Sequence, residues 1–144
     1  MIISNRKSFI KNLKLDTNIN KFIFAKTLFA FSKNPSDDFL ILVANTLMNK
    51  FIVEEEMMDE IPSIVKLLTS FDCWKDLSFM ENIDTNNPIF RKCLAVSSKV
   101  LSGNLDEKFS GTLCFHKKSE SHLLTKNVTP KFVVDGFSFF DVYM

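Results

Sequence analysis

The segment Asn87–Gly103 constrains the fold of this chain more than any other stretch. Asn87 can cap a helix with its side-chain oxygen, Pro88 suits the first helical position, and Gly103 supplies the left-handed residue that ends it. Between these ends Ile89, Phe90, Cys93, Leu94, Val96, Val100 and Leu101 recur at helical spacing. The second sharp signal is Asp135-Gly136, a two-residue turn in which both central residues must accept positive φ. It predicts a hairpin of Lys131–Val134 and Phe137–Val142, with another strand over Thr112–His116. Helices first and a small antiparallel sheet at the end make the class α+β.

The remaining segments fit that frame. Residues 1–20 are polar and read as a short helix or a loosely docked arm ahead of a single domain over 21–144. From Asn20 to Ser32, Phe22, Ile23, Ala25, Leu28, Phe29, Ala30 and Phe31 cover much of a helix surface, which predicts a buried helix. Asn34-Pro35-Ser36-Asp37 breaks it and offers Ser36 or Asp37 as the next N-cap. A second helix then runs to about Lys50, with Phe39, Leu40, Leu42, Val43, Leu47 and Met48 inward. Glu54, Glu55 and Glu56, with Asp59 and Glu60, read as solvated surface. Pro62–Leu68 predicts a short helical turn leading to Phe71 and Trp74, which anchor an irregular segment. Asp84–Asn87 is a polar break.

Composition narrows the function. The 144 residues suit one domain with its own core. Eighteen Lys and Arg against 17 Asp and Glu leave a net charge of +1, which argues against nucleic-acid binding and a polybasic membrane anchor. No run approaches the roughly 18 apolar residues of a membrane span, and the first twenty residues lack the apolar stretch of a Sec signal. Three glycines, none clustered, rule out a phosphate-cradling loop. Cys73, Cys93 and Cys114 are odd in number and widely spaced, so they read as reduced thiols among hydrophobes, not a disulfide framework or zinc site. His116 ends an apolar strand and reads as structural, His122 as exposed. No nucleophile-elbow motif supports a Ser-His-Asp triad. Neither a metal nor a cofactor is expected.

The order of several weak motifs says more. Phe24–Lys50 (FAKTLFAFSKNPSDDFLILVANTLMNK) carries Ala25, Lys26, Ala44, Asn49 and Lys50 where a pattern L-A-R…Q-x-A-V-A-x-V-V-L-N-R has A, R, A, N and R. Ile61–Trp74 (IPSIVKLLTSFDCW) is similar to I-x-x-V-V-x-x-x-x-Q-F-S-C-W. Asn87–Gly103, Asp106 and Gly111–His116 are similar to A-x-x-V-L-x-G-x-x-D-x-x-x-G-A-x-x-F-H, and Thr129–Phe140 to T-x-x-x-x-I-G-x-H-x-F-Y. Over about 22–143 the chain resembles the SleB-like, spore-cortex-lytic type of bacterial cell-wall hydrolase, a family also met in prophages. The resemblance implies a lysozyme-like domain that cuts the glycan strand of peptidoglycan with a Glu as general acid. Such a carboxyl protonates the departing glycosidic oxygen and needs a partly apolar pocket to stay protonated.

At the positions that carry this chemistry the chain departs from the pattern. The acid's place is taken by Phe31, the Gln by Leu40, the strand His by Phe137 and the final Tyr by Phe140. Ser70 stands for the Gln before F-S-C-W, and Leu124 for a Trp. A phenyl ring cannot transfer a proton, and loss of a positioned general acid alone costs roughly 10²–10⁴-fold. The resemblance therefore implies a pseudo-hydrolase whose former cleft comprises Phe31, Leu40, Phe115, His116, Phe137 and Phe140. It would bind glycan strands or a protein partner. One alternative is an active peptidoglycan glycosidase or lytic transglycosylase that uses Asp37, Asp38 or Glu54–Glu56 as its acid. Another is an unrelated α+β interaction module, in which the sixteen phenylalanines simply fill the core. Without an export signal the expected location is the cytoplasm, or the wall after lysis or a phage-type release.

Overall fold

The computed structural model describes residues 5–57 and 63–144. Among the described residues six α-helices come first: α1 Arg6–Leu13, α2 Asn18–Phe31, α3 Asp37–Met57, α4 Ile64–Thr69, α5 Leu77–Glu81 and α6 Pro88–Leu101. Three short strands follow, β1 Cys114–Lys117, β2 Phe132–Val134 and β3 Phe137–Phe140. They form one antiparallel sheet in the order β1-β3-β2. The fold is α+β, with 56% of the described residues helical.

Local chemistry explains the boundaries. Asn87 Oδ1 accepts from the amides of Ile89 and Phe90, Pro88 opens α6, and Gly103 follows its end at φ 96°. Of the two possible caps for α3, Ser36 serves, its Oγ accepting from Phe39 N at 3.1 Å. The hairpin turn has Asp135 at φ 51° and Gly136 at φ 77°, the conformation that matches the strand twist. Asp135 Oδ2 also accepts from Ser36 N at 2.7 Å, so the turn is tied to the start of α3.

Helix α3 is the axis of the core. From Phe39 to Val53 nearly every residue is buried, which no surface helix permits. It runs on past Lys50 through Glu54, Glu55 and Glu56. Its acidic end is unfavourable to the helix dipole, so packing of the preceding apolar turns carries the extension. Asp59, Glu60 and Pro62 lie outside the described residues. Helix α2 packs against α6 and α4. It is less enclosed than its composition suggests: Phe24, Ala25 and Leu28 are buried, whereas Phe22 is 42% exposed.

Within the polar N-terminal segment, Arg6–Leu13 is helical and docked. Ile10 is fully buried, and Arg6 reaches α3 to donate to Asn49 Oδ1. Arg6 also donates to the Asp106 carbonyl at 3.4 Å and lies 3.7 Å from the Glu107 carboxylate. The segment after Phe71 is more regular than expected, with a 3-10 turn at Asp72–Lys75 and then α5, capped by Asp76. Strands β1, β2 and β3 are shorter than their apolar runs. Leu113 N bonds to the Phe140 carbonyl and Lys131 N to the Phe139 carbonyl, yet neither continues the ladder.

Candidate functional site

Phe31 ends α2 and points at the sheet. Its ring stands edge-on to Phe71, centroids 5.4 Å apart, and edge-on to Phe115 on β1 at 5.0 Å. Phe115 in turn lies 6.1 Å from Phe137 and stacks on Phe139 at 5.3 Å, while Phe137 meets Phe39 of α3 at 4.9 Å. Phe31, Phe71, Phe115 and Phe137 are each half-buried, so the cluster shows part of its aromatic surface to solvent.

The six residues of the expected cleft separate. Strand alternation decides it, since successive side chains leave opposite faces of the sheet. Phe115 and Phe137 lie on the face that meets Phe31. His116 and Phe140 lie on the other, where their rings stack at 5.0 Å. Leu40 is 1% exposed within the α3 core. Three of the six therefore meet at one place.

His116 is fully engaged. Its Nδ1 lies 2.8 Å from the Lys117 carbonyl, which can only accept, so Nδ1 carries the proton. Nε2 then accepts from Thr125 Oγ1 at 2.9 Å, and the His122 ring sits 4.6 Å away. The imidazole is built into the loop that follows β1.

The alternative acids are scattered. Asp37 is exposed and pairs with Lys92 at 3.1 Å across to α6, and Asp38 is exposed beside it. Glu54 is half-buried and accepts from Tyr143 Oη at 3.1 Å. Glu55 is half-buried and Glu56 exposed. None of these carboxylates is among the hydrogen-bond or ring partners of the cluster.

Two motif residues, Asn49 and Trp74, tie distant segments together. Asn49 is 3% exposed; its amide donates to the carbonyls of Phe109 at 2.7 Å and Thr112 at 2.9 Å, while its oxygen takes the Arg6 bond. Trp74 Nε1 donates to Thr27 Oγ1 at 3.0 Å, joining the segment after α4 to α2. Cys93 and Cys114 are buried and Cys73 is half-buried, all as free thiols. Burial pushes the Cys93 thiol up to about 12.

One feature was not legible in the motifs. A recess of about 80 Å³ opens beside the cluster, walled by Thr46, Leu47, Lys50, Phe71, Leu113, Cys114, Phe115 and Met144. The Lys50 ammonium lies 5.9 Å from the Phe71 ring centroid. Lys50 follows Asn49 in the sequence, but its direction depends on which side of α3 the sheet covers.

A larger open groove of about 820 Å³ runs between α1, α3 and α6, floored by Ile41, Val96, Val100 and Leu105. No residue of the aromatic cluster lines it. Among the described residues, no three His, Cys, Asp or Glu side chains gather as a metal site, and no helix is long and apolar enough to cross a membrane. No protein-family model, no curated protein and no solved structure matches the chain.

Proposed function

We propose that this chain is a cell-wall-hydrolase-type domain of the SleB kind that has lost its catalytic acid and now holds the peptidoglycan glycan strand without cutting it. One observation carries the reading. Phe31, Phe71, Phe115 and Phe137 come from the four separate segments that resemble the family; Phe71 and Phe115 meet Phe31, the residue standing in the acid's place, and Phe137 joins through Phe115.

The cluster suits binding and not scission. Half-buried aromatic rings offer flat apolar surface to the C–H faces of a sugar. They offer no proton to a leaving oxygen, and without one the oxocarbenium-like transition state stays high. A lysozyme-like architecture belongs to the same proposal. So does the location: the cytoplasm, or the wall when lysis or a phage-type route releases the protein.

Isolated sacculi test the reading directly. The purified protein should sediment with sacculi, release no muropeptides, and lose most of its binding when Phe137 is replaced by Ser. Steady muropeptide release at the rate of an active hydrolase would overturn the claim of lost catalysis. Failure to sediment, with capture of a wall-associated protein instead, would turn the reading toward a protein partner.

A further inference from the structure

We propose that the outer face of α2, together with α5, is a self-association surface on which a second copy of this chain docks about a twofold axis. The inference is independent of the glycan-binding reading, since none of the rings of this face pairs with a ring of the Phe31 cluster.

The first argument is the apolar face. Ile19, Phe22, Lys26 and Phe29 follow one another at steps of three or four residues, so they share one stripe along α2. The rings carry the stripe across to the neighbouring helices. Phe22 and Phe29 lie 6.1 and 5.9 Å from Phe90, which is fully buried, and Phe29 stacks on Phe79 of α5 at 6.3 Å. Ile19 is nevertheless 70% exposed and Phe79 45% exposed. A continuous aromatic patch left open, unlike a lone exposed side chain, marks a contact with another molecule.

The second argument is charge, and it names the occupant. Residues 18–33 carry Lys21, Lys26 and Lys33 and no acid, whereas residues 76–84 carry Asp76, Glu81 and Asp84 and no base. The two halves touch through Phe29 and Phe79, yet among the described residues none of the six charges closes an ion pair. Lys26 is half-buried in the stripe itself. A twofold rotation lays each half of the patch on the opposite half of its mate, so lysines meet carboxylates twice over. A surface of one sign would repel its own copy; this one is its own complement.

Sedimentation velocity of the full chain over a range of concentrations tests the inference, with circular dichroism to confirm the native fold of each variant. The wild type should pass from monomer to dimer as concentration rises. Phe22→Ser should weaken the dimer about tenfold or more, the scale of a central aromatic anchor. The decisive variants reverse charge, Lys26→Glu and Glu81→Lys. Each alone should stay monomeric where the wild type is dimeric. Their equimolar mixture should dimerise again, because the new carboxylate at position 26 then faces the new ammonium at position 81. A wild type that remains monomeric up to its solubility limit, a dimer untouched by all three substitutions, or a mixture that stays monomeric would overturn the proposal. So would a monomer that instead binds vesicles of phosphatidylcholine and phosphatidylglycerol through Phe22, which would make the face a lipid contact. Sacculus binding, read through Phe137→Ser, stands or falls separately.

Discussion

The ring of Phe31 meets that of Phe115 edge to face, with centroids 5.0 Å apart and planes at 82°. Phe71 closes on its other side at 5.4 Å and 87°. Each such contact contributes about 0.5–1.5 kcal/mol beyond simple burial. The Phe31 side chain therefore joins α2, the segment after α4, and the sheet. The energy is invested in stability.

Phe31→Ala should lower the unfolding free energy by about 2–3 kcal/mol, part ring contacts and part lost apolar burial. Leu123, 89% exposed, supplies the control: its change to Ala should cost under about 0.5 kcal/mol. Urea denaturation of the two variants measures both. A Phe31→Ala loss no larger than the control's would show that the cluster is not load-sharing.

Introducing the polar pattern of the resembled hydrolases should weaken the protein before it creates an enzyme. Phe31→Glu sets a carboxylate against two aromatic rings, and Leu40→Gln buries an amide at a position only 1% exposed. Unpaired buried polar groups cost about 1–3 kcal/mol each, so the double variant should lose about 3 kcal/mol or more. Thermal melting and a muropeptide-release assay on the same sample check this. A stable, hydrolytic double variant would contradict it.

Asn49→Ala should be among the most damaging single changes. It removes three bonds at once: from the Arg6 guanidinium, which keeps the Asp106 carbonyl and Glu107, from the Phe109 carbonyl, which keeps the Thr112 amide at 3.3 Å, and from the Thr112 carbonyl. Losing them from a buried network costs about 2–3 kcal/mol, and α1 should loosen with it. Hydrogen exchange would show the Phe9 and Ile10 amides losing protection ahead of those in α6.

The two left-handed glycines should respond unequally to alanine. At Gly136 (φ 77°) a Cβ meets nothing within 4 Å, so only backbone strain of about 1–2 kcal/mol applies. At Gly103 (φ 96°) the new Cβ would lie 2.6 Å from the Lys7 carbonyl oxygen, a clash with backbone. Gly103→Ala should therefore melt well below Gly136→Ala. Equal melting temperatures would mean that α1 can shift freely.

Stability should fall in alkali. Burial holds the Cys93 thiol protonated to about 12, against an ordinary value of 9.0 in the unfolded chain. The folded state thus binds the extra proton: its stabilisation is complete below about pH 9 and fades as pH rises toward 12. Burial raises Cys73 and Cys114 in the same direction, and burial with the nearby Glu54 raises Tyr143. Denaturation midpoints measured from pH 8 to 11 should decline, less steeply in Cys93→Ala.

Sequence alone determined what is set within a few residues. The Asn87-Pro88 start of α6, its Gly103 end, the Ser36 break and the Asp135-Gly136 turn depend on local φ and on side-chain-to-backbone bonds, so each is readable where it stands. Tertiary structure decided what needs distant segments to meet. Strand alternation sent His116 and Phe115 to opposite faces, and the enclosure of α3 buried Leu40. The same packing drew Arg6 across to Asn49 and turned Lys50 toward Phe71. Burial and charge pairing are properties of neighbours in space, and those neighbours lie tens of residues apart along the chain.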